Sequence, residues 1–298
     1  MSKNKKIVEN LEQSDIKFKE VSFIYAKKTP YEFQALKDIN LLIEKQKITA
    51  IIGSTGSGKS TLIQTINGLI IPTSGEVWFS DYVISAKKRK LKNIKVLRKT
   101  IGLVFQFPEY QLFEETIEKD IIFGPVNLGI SKNNAKEIAK KYIDIVGLSR
   151  NYLMRSPFNL SGGQKRRVAI AGILAMEGNT LILDEPTAGL DPEGEKAFLK
   201  LFKEINEKEK RTIVLVTHNM DHVLELADEV IVLDKGQLIT KTNPDELFSN
   251  KELLEKLNIE LPKIYNFIHL LKNKGLDLTN KNIRTIPELS KAINQLIK

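Results

Sequence analysis

The stretch Ile51-Ile52-Gly53-Ser54-Thr55-Gly56-Ser57-Gly58-Lys59-Ser60-Thr61 constrains the fold more than any other part of the chain. It reads as an apolar strand, a glycine-rich turn and the first turn of a helix. Glycines at 53, 56 and 58 let the main chain curl closely, so several N–H groups can point at one anion. The helix beginning near Lys59 adds the positive end of its dipole. Lys59 supplies a point charge that reaches β and γ phosphates, and the Ser60 hydroxyl is placed to ligand Mg²⁺. The flanks supply the context this pattern demands. Ile48 to Ile52 is a buried strand, and Leu62, Ile63 and Ile66 are the apolar face of a helix.

At 298 residues, 42% of them hydrophobic, the chain forms one large domain or two smaller ones with a real core. Cysteine is absent, which excludes disulfides, thiolate metal sites and a thiol nucleophile. The longest apolar runs, such as Ile213 to Val216, are strand-sized, so a soluble chain is expected. Met1-Ser2-Lys3-Asn4-Lys5-Lys6 leads into no apolar signal core. Lys and Arg number 46 against 37 Asp and Glu, a net charge of +9. The densest basic run, Lys87 to Lys92, has no stacking aromatics beside it, so it reads as a solvated loop, with contact to lipid headgroups left open and no nucleic-acid partner expected.

Residues 16 to 25 alternate as strands with one buried face, Leu36 to Ile43 continues the pattern, and Gly75 to Phe79 resumes it after the cradle helix. A small antiparallel sheet beside the nucleotide is expected. Tyr25 either stacks on a base or packs the end of its strand. Ile101 to Phe105 is a further buried strand ending on Gln106, where Pro108 stops the ladder. Ligands of open α/β sheets gather at the carboxyl ends of strands, so Gln106 either meets Mg²⁺ or an attacking water, or merely caps the strand. From Glu114 to Ala175 apolar residues recur at spacings of three and four, a helical insert. At its end Leu160-Ser161-Gly162-Gly163-Gln164 opens a strong helix, with Ser161 as N-cap and two glycines offering bare N–H groups to an anion.

Thr180 to Asp184 is a continuous apolar run of the kind buried on both faces of a parallel sheet, and it ends in two acids. Asp184 is placed to hold Mg²⁺ through water. Glu185, one residue further out, is placed to accept a proton from water attacking the γ-phosphate. Ala188 to Pro192 makes a tight turn. Thr212 to Thr217 is another buried strand, ending in His218 at the same sheet edge, and Val230 to Ile239 closes the sheet as a hairpin. Beyond residue 240 no chemistry is visible. Asn243 with Glu246, and Thr285 with Glu288, read as helix starts with reciprocal caps.

Taken in order, the glycine-rich loop, Gln106, Leu160 to Gln164, Leu181 to Glu185, Ala188 to Asp191 and His218 resemble the ATP-binding cassette (ABC) ATPases over roughly residues 16 to 240. The resemblance implies a RecA-like P-loop core of α/β class with an antiparallel β subdomain and a helical subdomain, near residues 114–175. It implies domains at 1–240 and 241–298, the latter a small helical extension. It also implies a dimer in which each ATP lies between the Gly53–Thr61 loop of one subunit and the Ser161, Gly162, Gly163, Gln164 segment of the other. By analogy Tyr25 stacks on adenine, Ser60, Gln106 and Asp184 attend Mg²⁺, Glu185 is the general base, and His218 senses the γ-phosphate.

Gly102 to Thr116, Phe123-Gly124-Pro125 and Arg166 to Gly172 are similar to the energy-coupling factor transporter ATPases, and the Asp184 to Asp191 string to the second of their two paralogues. That family implies a paralogous or identical partner cassette, a transmembrane coupling subunit, a substrate-binding membrane subunit and a place on the cytoplasmic face of the cell membrane. The aromatic patch Phe107, Tyr110, Leu112 and Phe113 is the expected contact with the membrane subunit. Two other functions stay open on sequence alone: an ABC importer ATPase of another kind, for amino acids, phosphate or metal ions, and a soluble ATP-dependent clamp.

Overall fold

The computed structural model describes residues 15–79, 82–87, 91, 93–276, 278 and 283–296. The opening residues 1–6 and most of the basic run 87–92 lie outside the described residues. Two sheets organise the chain. Strands β1 (Ile16–Tyr25), β2 (Phe33–Ile43), β4 (Ser74–Phe79) and β5 (Tyr82–Ser85) form an antiparallel sheet of order β2-β1-β4-β5. Strands β3 (Ile48–Ile52), β6 (Ile101–Val104), β7 (Thr180–Asp184), β8 (Thr212–Val216), β9 (Glu229–Asp234) and β10 (Gln237–Thr242) form the second, of order β10-β9-β3-β8-β7-β6. Within it only the β9–β10 pair is antiparallel.

The helices are α1 (Lys59–Ile66), α2 (Ile94–Thr100), α3 (Ile117–Asn127), α4 (Lys132–Ile145), α5 (Gly162–Leu174), α6 (Pro192–Glu209), α7 (Met220–Leu226), α8 (Pro244–Ser249), α9 (Lys251–Leu257), α10 (Lys263–Asn273) and α11 (Ile286–Leu296). Among the described residues none is long and apolar enough to cross a membrane.

Period-two alternation in the parallel strands sorts the core into two faces. Leu181, Leu183, Ile213 and Leu215 point to one side, where they meet α3 to α6 through residues such as Ile121, Val168, Phe198 and Phe202. Ile182, Val214 and Val216 point to the other, onto Leu62, Ile63 and Ile66 of α1 and the inner face of the antiparallel sheet. Both faces are covered, which is why these strands are apolar throughout. Each fully buried aliphatic side chain contributes about 1.5–3 kcal/mol of transfer free energy. A third cluster seats Leu247 and Phe248 of α8 on Ile52, Val230 and Val232, so the C-terminal segment is fastened beneath the loop-bearing strand.

Some expectations change in detail. Residues 16 to 25 form a single strand whose register shifts between Phe18 and Ile24, with Glu20 at φ 50°. The strand expected to end at Phe105 ends at Val104, because Phe107 takes a left-handed φ of 56° and the chain leaves the ladder. At α8 the Asn243 side chain accepts from the Glu246 N–H, but Glu246 takes the Thr242 hydroxyl instead of returning a bond to the cap. At α11 both halves form: Thr285 N–H donates to Glu288, and Glu288 N–H to the Thr285 hydroxyl. The antiparallel β9–β10 hairpin stands at the sheet edge as expected.

Candidate functional site

Parallel register gathers four strand ends at one edge. Ile51 and Asp184 both pair with Val216, and Val104 pairs with Leu183. Gly53, Gln106, Glu185 and His218 therefore leave the sheet side by side, at its carboxyl edge.

The loop after β3 is shaped by close backbone approach. At Gly53, φ +148°, a Cβ would stand 2.1 Å from the Leu233 carbonyl oxygen, and at Gly58, φ +100°, 2.6 Å from that of Ala35. Ser57 is buried beneath the loop, its carbonyl accepting from Gly236 N–H at 3.1 Å and its Oγ without a partner. Ser54, Thr55 and Gly56 are left exposed at the rim. The Lys59 ammonium crosses the loop and donates to the carbonyls of Gly53 at 2.7 Å and Ser54 at 2.9 Å. Burial pushes its pKa down, against the pull of Glu185 and Asp184. The cation thus sits in a partly desolvated place where an anion gains most from it.

Ser60 Oγ donates to Asp184 Oδ2 at 3.3 Å, joining the first turn of α1 to the end of β7. Burial pushes the Asp184 carboxyl up, Ser60 pulls it down, and the Glu185 charge raises it further. Glu185 turns out of the strand at a left-handed φ of 49°, with its N–H held by the Val216 carbonyl at 3.0 Å. A carboxylate side chain in that conformation stores on the order of 1–2 kcal/mol of backbone strain. Its Oε1 lies 2.8 Å from His218 Nδ1. The Glu185 side chain is 15% exposed and the imidazole 78%, so the pair points from the sheet edge into the open. Gln106 is exposed, two residues beyond Val104.

Tyr25, at the end of β1, is 39% exposed, and its hydroxyl stands 3.2 Å from the Thr61 hydroxyl of α1. Its ring meets Phe23 edge-on, at 4.7 Å between centroids. One face of an aromatic ring is thereby fixed beside the loop.

Ser161, Gly162, Gly163 and Gln164 stand at the start of α5 and not at the end of a strand of this edge. Ser161 caps α5, its Oγ accepting from Gln164 N–H at 3.4 Å while the Gln164 side-chain Oε1 accepts from Ser161 N–H at 3.1 Å, and Gln164 Nε2 reaches on to the Tyr152 hydroxyl. Ser161 and Gly162 are exposed, with open space around the Gly162 Cα. The helix start faces outward.

A buried ion pair that sequence reading missed lies between these groups. Arg166, 3% exposed, donates to both carboxylate oxygens of Glu109, at 3.0 and 2.8 Å. The signal was available: Ile170, one turn further along α5, is buried, so position 166 faces inward and needs an anion.

The ABC transporter family model matches residues 36–188. The "Energy-coupling factor transporter ATP-binding protein EcfA2" of Spiroplasma kunkelii is 66% identical over 295 residues, 98% of this chain and 97% of that relative. The protein of the same description from Enterococcus faecalis is 52% identical, over 88% of this chain and 90% of its own length. Among solved structures, cbiO1 of Clostridium perfringens, described as part of the ABC transporter complex cbiONQ, aligns with a TM-score of 0.71 at 39% identity, over 86% of this chain and 99% of that one. A dimeric ATP-binding cassette in a post-hydrolysis state with ADP and Pi aligns with a TM-score of 0.68 at 29% identity, over 77% of this chain and 98% of the other. The chain belongs to the ABC transporter family, among its energy-coupling factor transporter ATP-binding proteins.

Proposed function

We propose that this chain hydrolyses ATP as one cassette of an energy-coupling factor importer and so powers uptake of vitamins or other micronutrients. The observation that carries the chemistry is the meeting at one sheet edge of the lysine-bearing loop, the Ser60–Asp184 pair and the Glu185–His218 pair. Residues 1–240 form the ATP-binding unit and 241–298 an extension.

In this function the amides of Gly53 to Thr61 receive phosphate oxygens, and Lys59 leaves the loop carbonyls for the β and γ phosphates. Tyr25, anchored by Thr61, offers its ring to adenine. Ser60 and Asp184 suit Mg²⁺, which takes one or two hard protein oxygens and completes its shell with phosphate and water. A carboxyl whose ionisation burial opposes is the kind that a bound cation restores to its charged form. When bound, the ion neutralises charge that develops on the transferring phosphoryl group. Gln106 reaches the same place from the neighbouring strand. Glu185 takes the proton of the attacking water, and His218 orients that carboxylate and approaches the γ-phosphate.

Ser161 to Gln164 close on the nucleotide of a second cassette, a paralogue or another copy. ATP between two cassettes favours the closed dimer and hydrolysis releases it. The chain works from the cytoplasmic face of the cell membrane, with a transmembrane coupling subunit and a substrate-binding membrane subunit as partners. Tyr110, Phe113, Phe123 and Phe107 are exposed at 85%, 58%, 46% and 40%, and Phe113 and Phe123 line a groove of about 550 Å³ together with Leu112 and Met176. Such aromatics are the side chains that dominate interfaces.

Glu185→Gln is expected to bind ATP normally and to hydrolyse it about 10²- to 10⁴-fold more slowly, measured as phosphate release beside nucleotide binding. Ordinary turnover by that variant excludes Glu185 as the base. Replacing Phe107 and Tyr110 together by Ala is expected to abolish ATP-driven uptake in vesicles and to weaken co-purification with the membrane subunits, at about 2 kcal/mol or more for an anchoring aromatic. Unchanged uptake and assembly would remove the docking role.

A further inference from the structure

The Arg166 guanidinium meets three groups on two separate segments. Nε and Nη2 donate to the two oxygens of Glu109. Nη1 donates to the Ala188 carbonyl. The cation also lies 5.6 Å from the centroid of the Phe107 ring. Glu109 belongs to the 3-10 turn Pro108–Gln111, just after Gln106. Ala188 belongs to the turn that follows Glu185, closed by Ala188 N–H donating to the Glu185 carbonyl at 3.2 Å. Arg166 itself is on the helix that Ser161 caps. One planar group therefore spans the loop of Gln106, the turn of Glu185 and the helix of Ser161. The far end of the docking segment is fastened too, since Asp120 of α3 accepts from the N–H groups of Phe113 and Glu114 at 3.2 and 3.3 Å.

We propose that Arg166 is a positioning residue for hydrolysis, its fork setting the distance between the Gln106 loop and the Glu185 turn. Buried at 3% exposure, it acts through these partners and not on the reacting atoms. The role rests on Glu185 acting as the base, as proposed above. An ammonium lacks the fork, because Lys presents a point charge in place of donors fixed in a plane. A displacement of about 1 Å at a reacting group costs on the order of 10²-fold in rate. Binding through the loop of Gly53 to Thr61 does not pass through Arg166, so the loss falls on kcat.

The test compares full-length Arg166→Lys, the isosteric Glu109→Gln, and the double variant in the assembly in which the wild type hydrolyses ATP. Rates are normalised to nucleotide sites by titration. Each single variant is expected to lose about tenfold or more in kcat with KM for ATP within about twofold. The double variant loses no more than the worse single, because both cut one link. A purely structural role would lower the melting temperature and the number of competent sites while leaving kcat per site at the wild-type value, and that result overturns the proposal. So does an additive double variant. Glu185→Gln run beside them separates the two failures. Full turnover by Glu185→Gln defeats the base assignment, whereas an inactive Glu185→Gln with a fully active Arg166→Lys defeats the role of Arg166 alone.

Discussion

At Gly53 and Gly56 two glycines of one loop do different work. A Cβ on Gly53 would lie 2.1 Å from the Leu233 carbonyl oxygen and 2.7 Å from Ser57 Oγ, so alanine there must displace the end of β9. A Cβ on Gly56 meets nothing within 4 Å, and only the φ of +80° opposes it. Gly56→Ala should therefore cost about 1 kcal/mol of strain, about 2–4 °C in melting temperature, and leave ATP binding measurable. Gly53→Ala should lose ATP binding outright in the same titration. Equal behaviour of the two variants would mean that the loop is not wedged between β9 and α1. Spacing in the sequence reveals the loop and its lysine, because the chemistry demands those residue types in that order. It does not reveal the left-handed Glu185 at φ 49°, since a carboxylate carries no signal for that backbone. Nor does it pair Arg166 with Glu109, which only the packing of α5 on the 3-10 turn brings together.

Elements were legible where side chains announce them. The strands β3, β7 and β8 are apolar on both faces, and α4, α5, α8 and α11 begin at side-chain caps: Ser131, Ser161, Asn243 and Thr285. Of the elements not foreseen, α6 and α7 carry caps at Asp191 and Asn219 that were passed over, and the others lack such marks. Helix α2 starts at a left-handed Asn93 and α10 at Pro262, neither with a side-chain cap bond, and β5 is a four-residue edge strand. Helix α10 is tied back instead by its tyrosine. Tyr265 Oη donates to Asp245 at 3.2 Å, and Arg284 pairs with the same carboxylate. Burial first, and then the Asp245 charge, push the Tyr265 phenol from its ordinary 10.0 up to about 12. Its folded-state pKa is raised, so its contribution is whole below the unfolded value of 10.0 and is lost as pH climbs through about 12. Hydrogen exchange of residues 263–273 should therefore quicken over that alkaline window more in the wild type than in Tyr265→Phe. An identical pH dependence in both would remove Tyr265 from the tie.

Across the whole molecule the two anion-seeking segments sit on different elements of the fold, the start of α1 and the start of α5. The loop of Gly53 to Thr61 lies at the carboxyl edge of the sheet, while Ser161 to Gln164 bond among themselves and to Tyr152, with the helix start exposed. If each ATP site is shared, a chain defective in its own loop can still complete a neighbour. In a dimer of identical chains Lys59→Ala and Ser161→Arg should each be inactive alone. Mixed in equal amounts, two such chains pair as unlike dimers half of the time, and each unlike dimer holds one intact site of two. Hydrolysis should return to about a quarter of the wild-type rate where copies of this chain pair with each other. Where the partner is a paralogue, mixing the two variants adds nothing to either alone, since Ser161→Arg spares the site that uses its own Lys59 and Lys59→Ala spares the partner's. Each variant then silences one site of the pair, and nucleotide trapping would find the defects on opposite chains. Full activity of Ser161→Arg in any dimer would mean that the Ser161-capped start of α5 serves no site at all.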